Sequence, residues 1–144
     1  MANTSFSEIF DRAMFQFRDR TLTLLNIEDR ETVLTKFLFS AISDFKRVCR
    51  IDLSYDVETM SFLTELGHEE IEILALGTVT YWMASRAHNE EVLHNRLYTK
   101  DYGFFSPANL LREINNLLEL TEDKFRKAIV EYSYMHSDLN NLKV

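Results

Sequence analysis

Apolar residues recur at intervals of three and four along four stretches of the chain, the spacing that keeps them on one face of a helix. In the first stretch Phe6, Ile9, Phe10, Ala13, Met14 and Phe17 form the stripe, with Glu8, Asp11 and Arg12 opposite and Ser5 or Ser7 suited to cap the start. Residues 18–28 carry Thr, Asn and charge, and read as a link. A second helix is expected from near Asp29 to about Cys49, on Leu34, Phe37, Leu38, Ala41, Ile42, Phe45 and Val48. The pattern then changes. Met60, Phe62 and Leu66 alternate with polar neighbours, which predicts a short strand or an extended arm near 58–66.

The third helix has the clearest start. Gly67 and His68 precede Glu69, Glu70 and Glu72, and negative charge there suits the positive end of a helix dipole. The run Ile71-Glu72-Ile73-Leu74-Ala75-Leu76-Gly77-Thr78-Val79-Thr80-Tyr81-Trp82-Met83-Ala84 follows, apolar on nearly every side. A helix of that kind is buried all round, so it is the expected central element. Gly77 inside it costs about 1 kcal/mol against Ala, which points to another helix crossing closely there. For the fourth helix, Ser106 is a good N-cap and Pro107 suits the first helical position, where its missing N–H costs nothing. Leu110, Ile114, Leu117, Leu118, Thr121, Phe125, Ala128, Ile129 and Tyr132 make its stripe. Periodicity fades in the tail, about residues 136–144.

These elements describe an all-α fold: one domain, residues 1–144, a bundle of about four helices with a long buried central helix and a long C-terminal one. The chain of 144 residues has room for one core and no second domain. Three glycines and one proline leave few breakers, which favours long helices over a many-turned sandwich. The net charge of −7 is the wrong sign for gripping nucleic acid by its phosphates. Toward DNA the expected relation is avoidance. Cys49 stands alone, so neither an internal disulfide nor a cysteine zinc site is expected, and its apolar surroundings suggest a small core residue. The start MANTSFSEIF has no signal-peptide pattern, and the apolar block at 71–84 is too short to span a bilayer. No membrane is expected, and the expected location is the cytosol or a larger particle.

Candidate chemistry is sparse. Two E-x-x-H matches occur, Glu65–His68 and Glu91–His94, and two such pairs in a four-helix bundle can build a di-metal carboxylate site. Glu65 and His68 straddle a helix start, however, and Glu91 and His94 fall where the third helix is running out. Neither pair is assured of facing the same way. No nucleophile–base set and no glycine-rich phosphate loop stands out, so the chain reads as no enzyme, with no catalytic, metal or cofactor residue assigned. The stretch Thr99-Lys100-Asp101-Tyr102-Gly103-Phe104-Phe105 is a different matter, because it sets three aromatics on a turn. Phe105 can fold back on Leu110 as a hydrophobic staple. Tyr102 and Phe104 can serve as anchors in a neighbouring subunit, since aromatics are enriched in interface hot spots. Both readings can hold together.

Several runs resemble the head–tail connector (neck or adaptor) proteins of tailed bacteriophages. They are Ser43-Asp44-Phe45-Lys46-Arg47, the block from Glu70 to Gly77 with Trp82, Thr99-Lys100-Asp101-Tyr102, Phe105-Ser106-Pro107-Ala108-Asn109-Leu110-Leu111, and the closing Lys127-Ala128-Ile129-Val130-Glu131-Tyr132-Ser133-Tyr134. The likeness covers about residues 40 to 135, and the Thr99–Leu111 region is its most specific part. His68 departs from it, standing where an acidic or Ser/Thr cap is usual. The resemblance implies a small helical subunit that catalyses nothing. Copies of it would form a ring, commonly of twelve, beneath the portal protein. The ring would join the next neck or tail-completion protein and surround the channel through which genomic DNA leaves, without sequence-specific binding. It would reside in the virion, and in host cytoplasm during assembly. Tyr98, Tyr102, Phe104, Phe105, Asn109, Tyr132 and Tyr134 are then the candidate contact residues. Two other readings stay open: a di-metal carboxylate four-helix protein, or a small cytosolic interaction module.

Overall fold

All four predicted helices are present in the computed structural model, which describes residues 3–16, 27–98 and 107–136. They are α1 (Phe6–Gln16), α2 (Ile27–Phe45), α3 (His68–Tyr98) and α4 (Pro107–Met135), with a two-stranded hairpin, β1 (Tyr55–Asp56) and β2 (Ser61–Phe62), between α2 and α3. The fold is an all-α bundle with one small β addition. Phe17 and the expected link after it, the turn bearing Tyr102, Phe104 and Phe105, the Ser106 cap and most of the tail lie outside the described residues.

α3 is the axis of the bundle, and α1, α2 and α4 all pack on it. Ile73, Leu74, Ala75, Thr78, Val79, Trp82 and Met83 are buried around its circumference, as an all-round apolar sequence requires. Thr78 and Thr80 are tolerated inside because each hydroxyl donates to the carbonyl four residues back, Leu74 and Leu76, at 2.8 Å. α4 runs antiparallel to α3: Tyr132 meets Glu70, Phe125 meets Gly77, and Thr121 meets Met83.

Gly77 sits where two helices close in at once. A Cβ built there would stand 2.6 Å from Phe125 Cζ on α4 and 2.7 Å from Ala41 Cβ on α2. The glycine that weakens α3 locally therefore lets three helices approach in one layer. Its helical cost of about 1 kcal/mol is offset by that packing.

Two boundaries differ from the sequence reading. α2 begins at Ile27, so Asp29 lies in its first turn, and it ends at Phe45 rather than Cys49. Past Phe45 the chain tightens, with the Val48 and Cys49 N–H groups both bonding the Phe45 carbonyl, and Val48 and Cys49 pack half-buried against the core from a turn. The alternating segment becomes the hairpin, whose register pairs Tyr55 with Phe62 and Asp56 with Ser61. Its turn closes through Met60 at φ 52°, a left-handed conformation rare for a residue with a side chain. The N-terminal arm joins the same ladder. Thr4 O accepts the Phe62 N–H at 2.8 Å, Met60 O accepts the Phe6 N–H at 2.9 Å, and Thr4 Oγ1 accepts the Leu66 N–H at 2.8 Å. Phe6 is thereby set among Phe10, Phe39, Tyr55 and Phe62, edge-to-face with each.

Candidate interaction surface

Two polar knots tie the helices together, one joining α4 to the start of α3 and one joining α3 to α2. At its C-terminal end the Tyr132 hydroxyl donates to Glu70 Oε1 at 3.0 Å and accepts the Arg50 backbone N–H at 3.3 Å, with Cys49 Sγ 3.8 Å away. Glu70 is 2% exposed, a costly place for a carboxylate unless it is compensated. Its compensation is the Tyr132 hydroxyl, the Arg50 guanidinium at 3.9 Å and a seat in the first turn of α3, where the helix dipole favours negative charge. One turn beyond Tyr132, His136 Nε2 meets Glu69 Oε2 at 2.9 Å and its ring lies 4.3 Å from that of Tyr132. Burial pushes the Tyr132 phenol well above its ordinary range and also raises the Cys49 thiol. Cys49 is therefore held as a thiol, a small half-buried packing residue.

The second knot is at mid-helix. The Tyr81 hydroxyl donates to Asp44 at the mouth of a cleft of about 320 Å³ between α2, α3 and α4, lined also by Glu122, Arg126, Phe125 and Ile129. Burial first, then Asp44 and Glu122, push the Tyr81 phenol up to about 12. Phenols held this firmly in the protonated form serve as hydrogen-bond donors near neutral pH and not as bases.

A wider cleft of about 460 Å³ opens between the N-terminal arm, α1 and the start of α3, with Glu8, Arg12, Glu65 and His68 on its rim. It holds the first E-x-x-H pair. Because α3 starts at His68, Glu65 stands before the helix, and the i,i+3 facing a helix would impose does not apply. The second pair, Glu91–His94, lies on α3 with its side chains outside the described set. Among the described residues no group of three or more His, Cys, Asp or Glu could hold a metal ion, and no helix is long and apolar enough to cross a membrane.

The contact candidates scatter. Tyr98 ends α3 and Asn109 lies in the first turn of α4, both with side chains outside the described set, as are Tyr102, Phe104 and Phe105 entirely. Tyr132 belonged both to the buried stripe and to the contact set, and the structure places it in the stripe: at 1% exposure its ring is spent inside its own chain, edge-on to Phe45. Tyr134 is the reverse, 77% exposed.

One expectation needs correcting. Leu117 was expected in the buried stripe of α4, but it is 50% exposed, and Leu120 beside it is 58% exposed. The core face is carried by Ile114, Leu118, Thr121, Phe125, Ala128 and Tyr132, at steps of four and three. Leu117 starts a second stripe with the same rhythm, 117-120-124-127-131-134, which gives Leu, Leu, Lys, Lys, Glu and Tyr. All six residues are exposed. The row carries two Leu and a Tyr among Lys and Glu, and the chain itself leaves it to solvent.

Comparison with known proteins adds little. No family model and no solved structure matches the chain. Reticulocyte-binding protein homolog 1 of Plasmodium falciparum (isolate 3D7) is 27% identical over 145 residues, which takes in 99% of this chain and 5% of that protein. The chain thus spans about one-twentieth of the length of the curated relative it matches, and a similarity of this extent assigns it to no family.

Proposed function

We propose that the chain is a structural ring subunit of a tailed-bacteriophage neck, docking on the portal protein and surrounding the DNA exit channel. The observation that carries this reading is the resemblance of the Thr99–Leu111 region to head–tail connectors, placed at the junction between the two longest helices, α3 and α4. Three physical features support it. The subunit is an all-α bundle with an aromatic-rich connection ahead of a proline-started helix. Among the described residues its α4 shows exposed Leu117, Leu120, Val130, Tyr134 and Met135, apolar side chains available to a neighbouring subunit. Its net charge of −7 lets DNA slide past, where a lining of Lys and Arg would hold phosphates fast. Genomic DNA is then a passing cargo and not a ligand.

The test is imaging of purified particles. The expected result is a closed ring of this chain between portal and tail, with the connection after Tyr98 touching another chain. Particles in which the chain is absent, or present only as isolated copies, would overturn the reading.

A further inference from the structure

We infer that the outer stripe of α4 is the seat for the exposed face of α1 from a second copy of the chain, joined as an antiparallel helix pair. The inference rests on the ring reading above and supplies its subunit contact. α1 shows the solvent a short stripe of its own: Glu8, Asp11 and Phe15 are all exposed, Phe15 to 74%. The two stripes match in step. From Phe15 back to Asp11 and Glu8 the intervals are four and three, and from Leu120 on to Lys124 and Lys127 they are also four and three. Laid antiparallel, Phe15 covers Leu120 with Leu117 beside it, Asp11 meets Lys124, and Glu8 meets Lys127. Every pair is apolar on apolar or opposite in charge.

Several further observations favour a second copy. Among the described residues Glu8, Asp11, Lys124 and Lys127 make no ion pair. The nearby charges that do have partners are spent elsewhere, Arg12 on Glu72 at 2.9 Å and Arg126 on Asp123 at 3.7 Å. The two faces also belong to helices that both pack on α3 and share no substantial contact with each other. A head-to-tail contact between unlike faces of identical subunits closes into a ring when the rotation permits. Within one chain this pairing is unavailable, because α1 and α4 are each already seated on α3.

Reciprocal charge reversal tests it on the full chain. Glu8→Lys/Asp11→Lys makes both faces basic, and Lys124→Glu/Lys127→Glu makes both acidic. The four positions are exposed, so each variant is expected to keep the wild-type circular dichroism spectrum. Self-association is followed by sedimentation velocity at low salt. Wild type is expected to associate, and to lose association toward 1 M salt, where charges are screened beyond about 3 Å. Each variant alone is expected to associate more than about tenfold more weakly. An equimolar mixture is expected to recover assembly, because every contact between the two variants is again between opposite charges. Variants that associate as well as wild type would overturn the α1–α4 pairing while leaving a ring built on other surfaces. Wild type and mixture both remaining monomeric would likewise overturn the pairing, and the neck reading would then stand or fall on the particle images alone.

Discussion

α3 and α4 are nearly the same length, 31 and 29 residues, and lie side by side, yet they do opposite work. α3 carries acidic charge in its first turn and is then apolar on all sides to Met83, so three helices can pack on it at once. α4 commits one face. Ile114, Phe125 and Tyr132 are its buried apolar residues among those described, and Leu117, Leu120, Val130, Tyr134 and Met135 stay in solvent. Apolar content alone therefore does not say what a helix is for. What distinguishes the two is how far the apolar positions are buried within the chain, and on α4 five of the described ones are exposed.

Two tyrosines a half-turn apart on α4 give the largest effect with which to break this comparison. Tyr132→Ala removes a fully enclosed ring and leaves the buried Glu70 carboxylate without its donor. A loss of about 3–5 kcal/mol is expected, read by chemical denaturation. Tyr134→Ala should stay within about 0.5 kcal/mol of wild type in the isolated chain. Equal losses would mean that the outer face of α4 is part of the folded core after all.

Next in size is Gly77. Gly77→Ala gains about 1 kcal/mol of helix propensity, but its new methyl meets both Phe125 and Ala41 inside normal contact distance. Overpacking of this kind costs about 1–3 kcal/mol, so a net loss of up to about 2 kcal/mol is expected in thermal or chemical unfolding. Phe125→Leu in the same chain should recover part of it, a positive coupling that a double-mutant cycle would measure. Gly77→Ala that stabilises would show that α3 has room to spare and is less central than its burial suggests.

Most of α3 was legible in the sequence, because an all-round apolar run has one physical solution and because Gly77 in that run implied a close crossing. The Pro107 start was legible for the same kind of reason, being local chemistry. The end of α2 was not. Val48 and Cys49 continue the apolar rhythm, and only the turn back onto the Phe45 carbonyl shows that they reach the core from outside the helix. The N-terminal arm joining β2 was invisible too, since Thr4 and Ser61 are far apart in the chain and carry no pattern that pairs them. At the candidate surface the aromatics near Tyr102 stood out by type, whereas Leu117 and Leu120 were hidden among residues of the same type. Side-chain chemistry marks Tyr132 and Tyr134 alike, and only their angular positions on α4 separate a core ring from an exposed one.

A smaller effect follows from the two knots, and it is visible only in alkali. Tyr81 is held protonated to about 12 against an ordinary value near 10, through burial and the neighbouring Asp44 and Glu122, and Tyr132 is shifted in the same direction. A raised folded-state value means that the unfolded chain gives up its proton first. This share of stability is complete below about pH 10 and drains away as pH climbs toward 12 and beyond. Unfolding midpoints followed across that window should fall for wild type. The fall should be shallower for Tyr81→Phe, which has no proton to lose there. The Tyr81 knot joins α3 to α2 and the Tyr132 knot joins α4 to α3, so an unchanged slope in both Tyr81→Phe and Tyr132→Phe would uncouple the knots from the packing around α3.

The smallest expected change is also the sharpest comparison of the two faces of α4. Leu and Gln have nearly equal helix propensity, so a Leu→Gln exchange on this helix measures apolar contact and little else. Leu118 packs half-buried against the core, and Leu118→Gln should cost about 1 kcal/mol or more in the isolated chain. Leu120 is 58% exposed, and Leu120→Gln should shift the same unfolding midpoint by less than about 0.5 kcal/mol. In the assembled state the order should change, because burying Leu120 against a neighbour gives it the contacts that Leu118 already has. Sedimentation should then show Leu120→Gln weakening association while Leu118→Gln, once folded, does not. A Leu120→Gln chain that is unaltered in both measurements would leave the outer stripe of α4 without a purpose that its sequence rhythm can explain.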